Sequence, residues 1–223
     1  MNRSLMAVSL LFGLISPGVA AAQAAPRAAA QAPAPPATRP PAEAKAPPAP
    51  EPKPQPRPHG MRVPVDVAKI EVDDGDSVVI HWGTGDTETV RILGIDTPET
   101  RHIPHDIPYA QPLGPEASAF LQGVLAVASQ AELLRASTLD PYGRTLGYLF
   151  VNGRNYSVLV IRARLAEETV THFGDNGFPR EAEAVTAAAK AAGPLAFEAP
   201  HHYRARMRAL SAWMKERGIY PEQ

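Results

Sequence analysis

Thr87-Glu88-Thr89-Val90-Arg91-Ile92-Leu93-Gly94-Ile95, followed after a Pro-containing loop by Gly114-Pro115-Glu116-Ala117-Ser118-Ala119-Phe120, is the juncture that decides the fold. The first run is rich in β-branched residues and reads as a strand. The second opens an Ala/Leu-rich helix to about Ala128, with Pro and an acidic side chain in the first turn, where the backbone N–H groups have no partner. Before this juncture, Val63 to Val72 and Ser77 to Trp82 read as two strands, and Gly83-Thr84-Gly85-Asp86 turns the second into the third. After it, Ala131 to Ser137 and Thr145 to Val151 read as two more, the last ending at Asn152-Gly153. Asn155 can cap a helix carrying Val158, Leu159, Arg162 and Leu165. Another helix runs from Pro179 to Gly193-Pro194. Three strands, a helix, two strands and further helices make an α+β, mainly β chain: a five-stranded OB-type Greek-key barrel with three helices.

Beyond the barrel the composition shifts at both ends. The chain has 223 residues, with 25 Pro and no Cys. The missing Cys excludes a disulfide scaffold, a thiolate zinc site, a Cys nucleophile and a lipidated Cys anchor. Residues 1–25 read as a secretory signal, with Arg3, an apolar run from Leu5 to Val19 and the A-x-A site Ala22-Gln23-Ala24. Cleavage is expected there; an uncleaved anchor is the rival reading, and the only one that puts the protein on a membrane. Either way the chain is exported, to the periplasm or beyond. Residues 26–58 form an Ala/Pro-rich, disordered linker that cannot bury enough apolar surface to fold. Residues 59–198 are the folded domain. Residues 199–223 are a basic helical extension in which Tyr203, Met207, Leu210 and Met214 form one apolar stripe, expected to dock on the barrel.

Three short runs carry chemistry. They are Asp73-Asp74-Gly75-Asp76 between strands one and two, Arg91 to Thr100 at the end of strand three, and Asp140-Pro141-Tyr142-Gly143-Arg144 entering strand five. All three sit at strand ends, where a rigid scaffold can aim side chains. Asp76 and Asp96 offer hard oxygen ligands for Ca²⁺ or Mg²⁺. Thr97 precedes Pro98 and is pushed to extended backbone, which leaves its carbonyl available as a further ligand. Glu99 could act on a nearby water. Arg91 and Arg144 are planar forks that match a phosphate.

These runs, with Glu181-Ala182-Glu183-Ala184 in the late helix, resemble the staphylococcal nuclease (thermonuclease-like) family over roughly Val65 to Ala192. The resemblance implies a barrel with a helix after strand three. It implies that Asp76, Asp96 and the Thr97 carbonyl hold Ca²⁺, that Glu99 is the general base or orients the attacking water, and that Arg91 and Arg144 clamp the scissile phosphate. Tyr142 matches a residue that touches the bound nucleotide. The implied reaction is Ca²⁺-dependent cleavage of single-stranded or denatured DNA and RNA to 3′-phosphate products, by a monomer without a stable protein partner.

The chain departs from the family in places. Residues 59–198 hold 11 Lys and Arg against 19 Asp and Glu, an acidic domain where nucleic-acid binders are basic. Phosphate contacts are then expected from the basic linker and the extension 199–223. Val170 and His172, with Phe173 beside them, stand where the family places two tyrosines; His172 and Phe173 are the candidates for stacking on a base. Arg164 replaces a glycine, and the loop Arg101 to Leu113 carries His102 and His105, which have transition-metal chemistry. The alternative reading is a non-catalytic nucleic-acid- or protein-binding OB module tethered in the envelope.

Overall fold

The structure, a computed structural model, describes residues 52–221. The signal assigned to 1–25 and most of the linker assigned to 26–58 lie outside the described residues.

The strands are β1 (Arg62–Val65), β2 (Ile70–Val72), β3 (Ser77–Gly83), β4 (Asp86–Ile92), β5 (Ile95–Asp96), β6 (Ala131–Leu139), β7 (Thr145–Val151), β8 (Arg154–Asn155) and β9 (Glu167–Glu168). The helices are α1 (Gly114–Ala126), α2 (Tyr156–Arg162), α3 (Val170–Phe173), α4 (Pro179–Ala192) and α5 (Pro200–Glu216). The main sheet runs β1-β6-β7-β4-β3-β2, with β8 beside β7. Its β4–β7 pairing is parallel and places Arg91 opposite Leu146. Because β1 and β2 sit at the two ends of this order yet are nearly continuous in sequence, the sheet must curl round on itself. This is the expected OB-type α+β architecture.

The chain departs from the strand reading at two places that matter for the site. The single first strand is two, because a 3₁₀ turn at Val67–Lys69 interrupts it, and the Asp66 carboxylate caps that turn by accepting from the Ala68 N–H at 3.0 Å. That break lets the segment leave β6 and join β3. The third strand ends at Ile92. Gly94, at φ 81°, turns the backbone so that Ile95–Asp96 leaves the sheet and pairs with β9, Asp96 opposite Glu167.

The linker boundary also shifts. Residues 52–58 lie along β6: Pro54 bridges Thr138, the Leu139 N–H donates to the Lys53 carbonyl at 2.8 Å, and the buried Gln55 amide donates to Thr145 Oγ1 at 3.0 Å. Polyproline-like chain is already extended, so it can lie beside a strand wherever a non-Pro residue supplies the donor.

The core fills the barrel and the space under the helices. Val78, Ile80, Val90, Leu133 and Leu149 of the sheet pack with Leu121 of α1, Val160 of α2 and Val185 of α4, all fully buried. Asn155 caps α2 as expected, its side chain accepting from the Ser157 N–H at 2.9 Å. Past the end of α2, Arg164 sits exposed at φ 61°, left-handed backbone that disfavours any Cβ. Arg164→Gly is therefore expected to raise the unfolding free energy by ~1 kcal/mol, measured by urea denaturation.

Candidate active site

The loop from Asp73 to Asp76 joins β2 to β3 and lies against the segment after β5. Gly75 makes that approach possible: a Cβ there would meet Thr97 Oγ1 at 2.7 Å and the Ala117 Cβ at 2.8 Å. Its carbonyl accepts from the buried Tyr156 hydroxyl at 2.8 Å. Asp76 is thereby fixed. Its Oδ2 accepts from the Thr97 N–H at 2.7 Å and from Thr97 Oγ1 at 3.0 Å, while Oδ1 accepts from Ser77 Oγ at 3.2 Å. Asp96, also buried, comes from β5 after the Gly94 turn.

Arg91, near the end of β4, spans the two aspartates. One terminal nitrogen pairs with Asp76; the other donates to Asp96 Oδ1 at 2.7 Å and to the Ile95 carbonyl at 3.1 Å. Glu99 is held at its backbone by the loop before α1: its carbonyl accepts from the Gln111 N–H at 2.8 Å, and its N–H donates to Gln111 Oε1 at 3.2 Å. Gly114 is needed here too, since a Cβ on it would lie 2.1 Å from the Glu99 carbonyl oxygen.

Asp76, Arg91, Asp96, Thr97 and Glu99 therefore converge at one end of the barrel. Arg144 is held by its own turn, its Nε donating to Asp140 Oδ2 at 2.6 Å and its N–H to Asp140 Oδ1 at 2.8 Å. Among the described residues its terminal nitrogens donate no hydrogen bond, and its charge is felt at Asp73 and Asp74. Tyr142 is 83% exposed beside it, with the Arg144 guanidinium 5.7 Å from the ring centre. His172 and Phe173 sit on α3; both are exposed, Phe173 at 77%, so Phe173 is not a core residue.

Two residues that touch this centre carry no local signal in the sequence. Gln111, almost fully buried, links the Glu99 backbone to the Glu198 carbonyl, to which its amide donates at 2.6 Å. Arg204 of α5 reaches the carboxylates directly: it donates to Asp96 Oδ1 at 3.0 Å, to Asp96 Oδ2 at 2.8 Å and to Glu99 Oε1 at 2.5 Å. The apolar stripe of α5 docks as expected, Tyr203, Met207 and Leu210 meeting Ile107 of the loop after β5. That loop's His102 and His105 rings lie 4.0 Å apart.

Charge explains several of these contacts. Burial would raise the Asp96 carboxyl, but hydrogen bonds and charge from Arg204 and Arg91 outweigh it and hold it below the usual range. Burial raises Glu99, and Arg204 only partly opposes this. The acidity of residues 59–198 is also matched from within, since Arg204, Arg206 and Lys215 of the extension pair with Asp96 and Glu99, with Glu198, and with Asp106. Three of the extension's cations expected to meet nucleic-acid phosphates are thus engaged with the protein's own carboxylates.

The donor chemistry fits a hard divalent cation. Asp76 and Asp96 are buried oxygen donors that already hold guanidinium groups, and Thr97 is tied to Asp76 through its N–H and hydroxyl. Among the described residues no three His, Cys, Asp or Glu side chains converge as a metal cage. Two carboxylates and a carbonyl would rely on water for the rest of the shell.

Comparison with known proteins bears on the same segment. The family model described as staphylococcal nuclease homologue matches residues 89–193. Over residues 89–193 the chain is similar to that family. The SPbeta prophage-derived endonuclease YokF of Bacillus subtilis (strain 168) is 34% identical over 103 residues, covering 46% of this chain and 33% of that protein. The thermonuclease of Staphylococcus intermedius is 35% identical over 95 residues, 43% of this chain and 54% of that protein. The endonuclease YncB of B. subtilis (strain 168) is 33% identical over 94 residues, 42% and 43% respectively. The chain thus spans about a third to a half of the length of these relatives. Within the nuclease-homologue segment fall Arg91, Asp96, Thr97, Glu99, Tyr142, Arg144, His172 and Phe173, while Asp76 precedes it and α5 follows it.

Proposed function

We propose that this protein is an exported, Ca²⁺-dependent nuclease that hydrolyses phosphodiester bonds of single-stranded or denatured DNA and RNA, with little base specificity, leaving 3′-phosphate ends. The observation that carries the reading is the convergence of Asp76, Arg91, Asp96 and Glu99 at one end of the barrel. The nuclease and endonuclease names of the relatives support it. Export rests on the reading of residues 1–25.

Asp76, Asp96 and the Thr97 carbonyl would hold the cation. When bound, it would supply charge stabilisation at a phosphate oxygen and lower the pKa of a neighbouring water. Glu99, its carboxyl pushed up by burial, accepts the proton of the attacking water. Arg91 and Arg144 donate to the non-bridging phosphate oxygens, where charge grows on the way to the five-coordinate transition state. The exposed rings of Tyr142, His172 and Phe173 offer π faces to unpaired bases, and stacking of this kind tolerates any base.

The test is cleavage of end-labelled denatured DNA by the purified protein, in Ca²⁺ and then in excess chelator. Cleavage confined to Ca²⁺, with 3′-phosphate termini, is the expected result. Undiminished cleavage in chelator would overturn the metal dependence. A folded protein inactive in Ca²⁺ would favour the binding-module reading, in which Arg204 stays on Asp96 and Glu99.

A further inference from the structure

α5 is built to be held at one place and to reach another. Its seat is the loop after β5. Tyr203 and Met207 bury there against Ile107, Ser211 Oγ donates to the Asp106 carbonyl at 2.9 Å, and Lys215 pairs with the Asp106 carboxylate at 2.5 Å. Just past the helix, the Tyr220 hydroxyl donates to the Ile103 carbonyl at 2.9 Å. From that seat one side chain, Arg204, extends to the carboxylates. It covers both oxygens of Asp96 and one of Glu99. The covalent link to the barrel is Gly193 to Ala199, which contains no helix or strand.

A divalent cation held by Asp96 needs a lone pair on one of the two oxygens that Arg204 now occupies. Arg91 and Arg204 already share the buried Asp96 carboxylate, so a divalent ion would be a third cation there, and the repulsion is strong. We infer that Arg204 is a tethered rival of the metal ion: α5 seated on the carboxylates and metal bound by them are alternative states, so the C-terminal helix is an inhibitory element that the metal lifts. This rests on the metal-dependent reading above. A tethered rival acts at a high effective concentration, so it sets a threshold of metal below which the site stays closed. The coupling is reciprocal: whatever α5 subtracts from metal affinity, metal subtracts from the docking of α5.

The experiment is calorimetric titration of the full chain with Ca²⁺, without nucleic acid, for the wild type, Arg204→Met and Met207→Asp. The first variant removes the guanidinium and keeps an apolar stem. The second keeps Arg204 and unseats α5 from Ile107. Both are expected to bind Ca²⁺ about 10-fold more tightly than the wild type, within the range usual for coupled sites. Ca²⁺ is also expected to speed amide exchange across residues 200–216 of the wild type. Equal affinity in all three proteins, weaker affinity in Arg204→Met, or unchanged exchange in α5 would overturn the inference and leave the metal-dependent reading standing. No Ca²⁺ uptake by any of the three would overturn both.

Discussion

Glu99→Gln is expected to lower the turnover number on denatured DNA by ~10²–10⁴-fold while leaving KM within a few-fold of the wild type. Glutamine keeps the size of the side chain and cannot take a proton from water. The Glu99 backbone is held by Gln111, and neither of those hydrogen bonds involves the substituted group. Asp76, Asp96 and Arg91 keep their contacts with one another. Only the charge that Glu99 shares with Arg204 is lost. The loss should therefore fall on turnover rather than on substrate capture. A kcat within a few-fold of the wild type would remove Glu99 from the proton transfer. A large rise in KM at unchanged kcat would make it a binding group instead.

The residues of this centre could be read from the chain because each lies in a short polar run at the end of a strand. Asp-Gly-Asp and Asp-Thr-Pro-Glu interrupt apolar alternation and so mark the points where strands begin or end. The OB-type order was legible for a related reason: strand and helix periodicities change sharply at Gly114-Pro115. Other features were hidden by what they resemble. The alternation of Val63, Val65 and Val67 runs into the 3₁₀ turn at Val67–Lys69 and resumes one position out of phase at Ile70 and Val72, so one strand was expected where two exist. Pro-rich composition concealed Gln55, a single buried donor among prolines. Arg204 is one of four Lys and Arg residues on a helix whose spacing marks only the apolar stripe. Which cation reaches Asp96 depends on where α5 sits, and that follows from packing with Ile107, 100 positions before Met207 in the chain.

Arg135→Leu is expected to cost ~3–5 kcal/mol of stability, a large part of what a domain of this size possesses. Arg135 of β6 and Glu88 of β4 meet across β7 with side chains 2% and 3% exposed, Nε to Oε1 at 2.7 Å and Nη2 to Oε2 at 2.8 Å. Glu88 also accepts from Thr145 Oγ1 and from the Trp82 indole, each at 2.7 Å. Arg135 donates further to the Pro58 carbonyl at 3.1 Å, so the segment 52–58 helps to cover the pair. Leucine would leave a buried carboxylate with Arg57, at 3.7 Å, as its remaining counter-charge, and the loss of the two close Arg135 bonds is the source of the cost. The double variant Arg135→Leu/Glu88→Leu should recover most of it, because two apolar groups need no partner. The pH dependence separates charge from packing. In the wild type, burial would raise Glu88, but bonds from Arg135, Thr145 and Trp82 outweigh it and hold the carboxyl below its ordinary value. Its contribution is thus present above the unfolded value, ~4.3, and is lost as pH falls through the lower folded value. Without Arg135 the sign reverses. Burial then raises the folded value, so the variant is least stable at neutral pH and gains stability on acidification toward ~4.3. Urea denaturation of both proteins between pH 7 and pH 4 checks this. Parallel slopes would mean that Arg135 contributes packing and not charge.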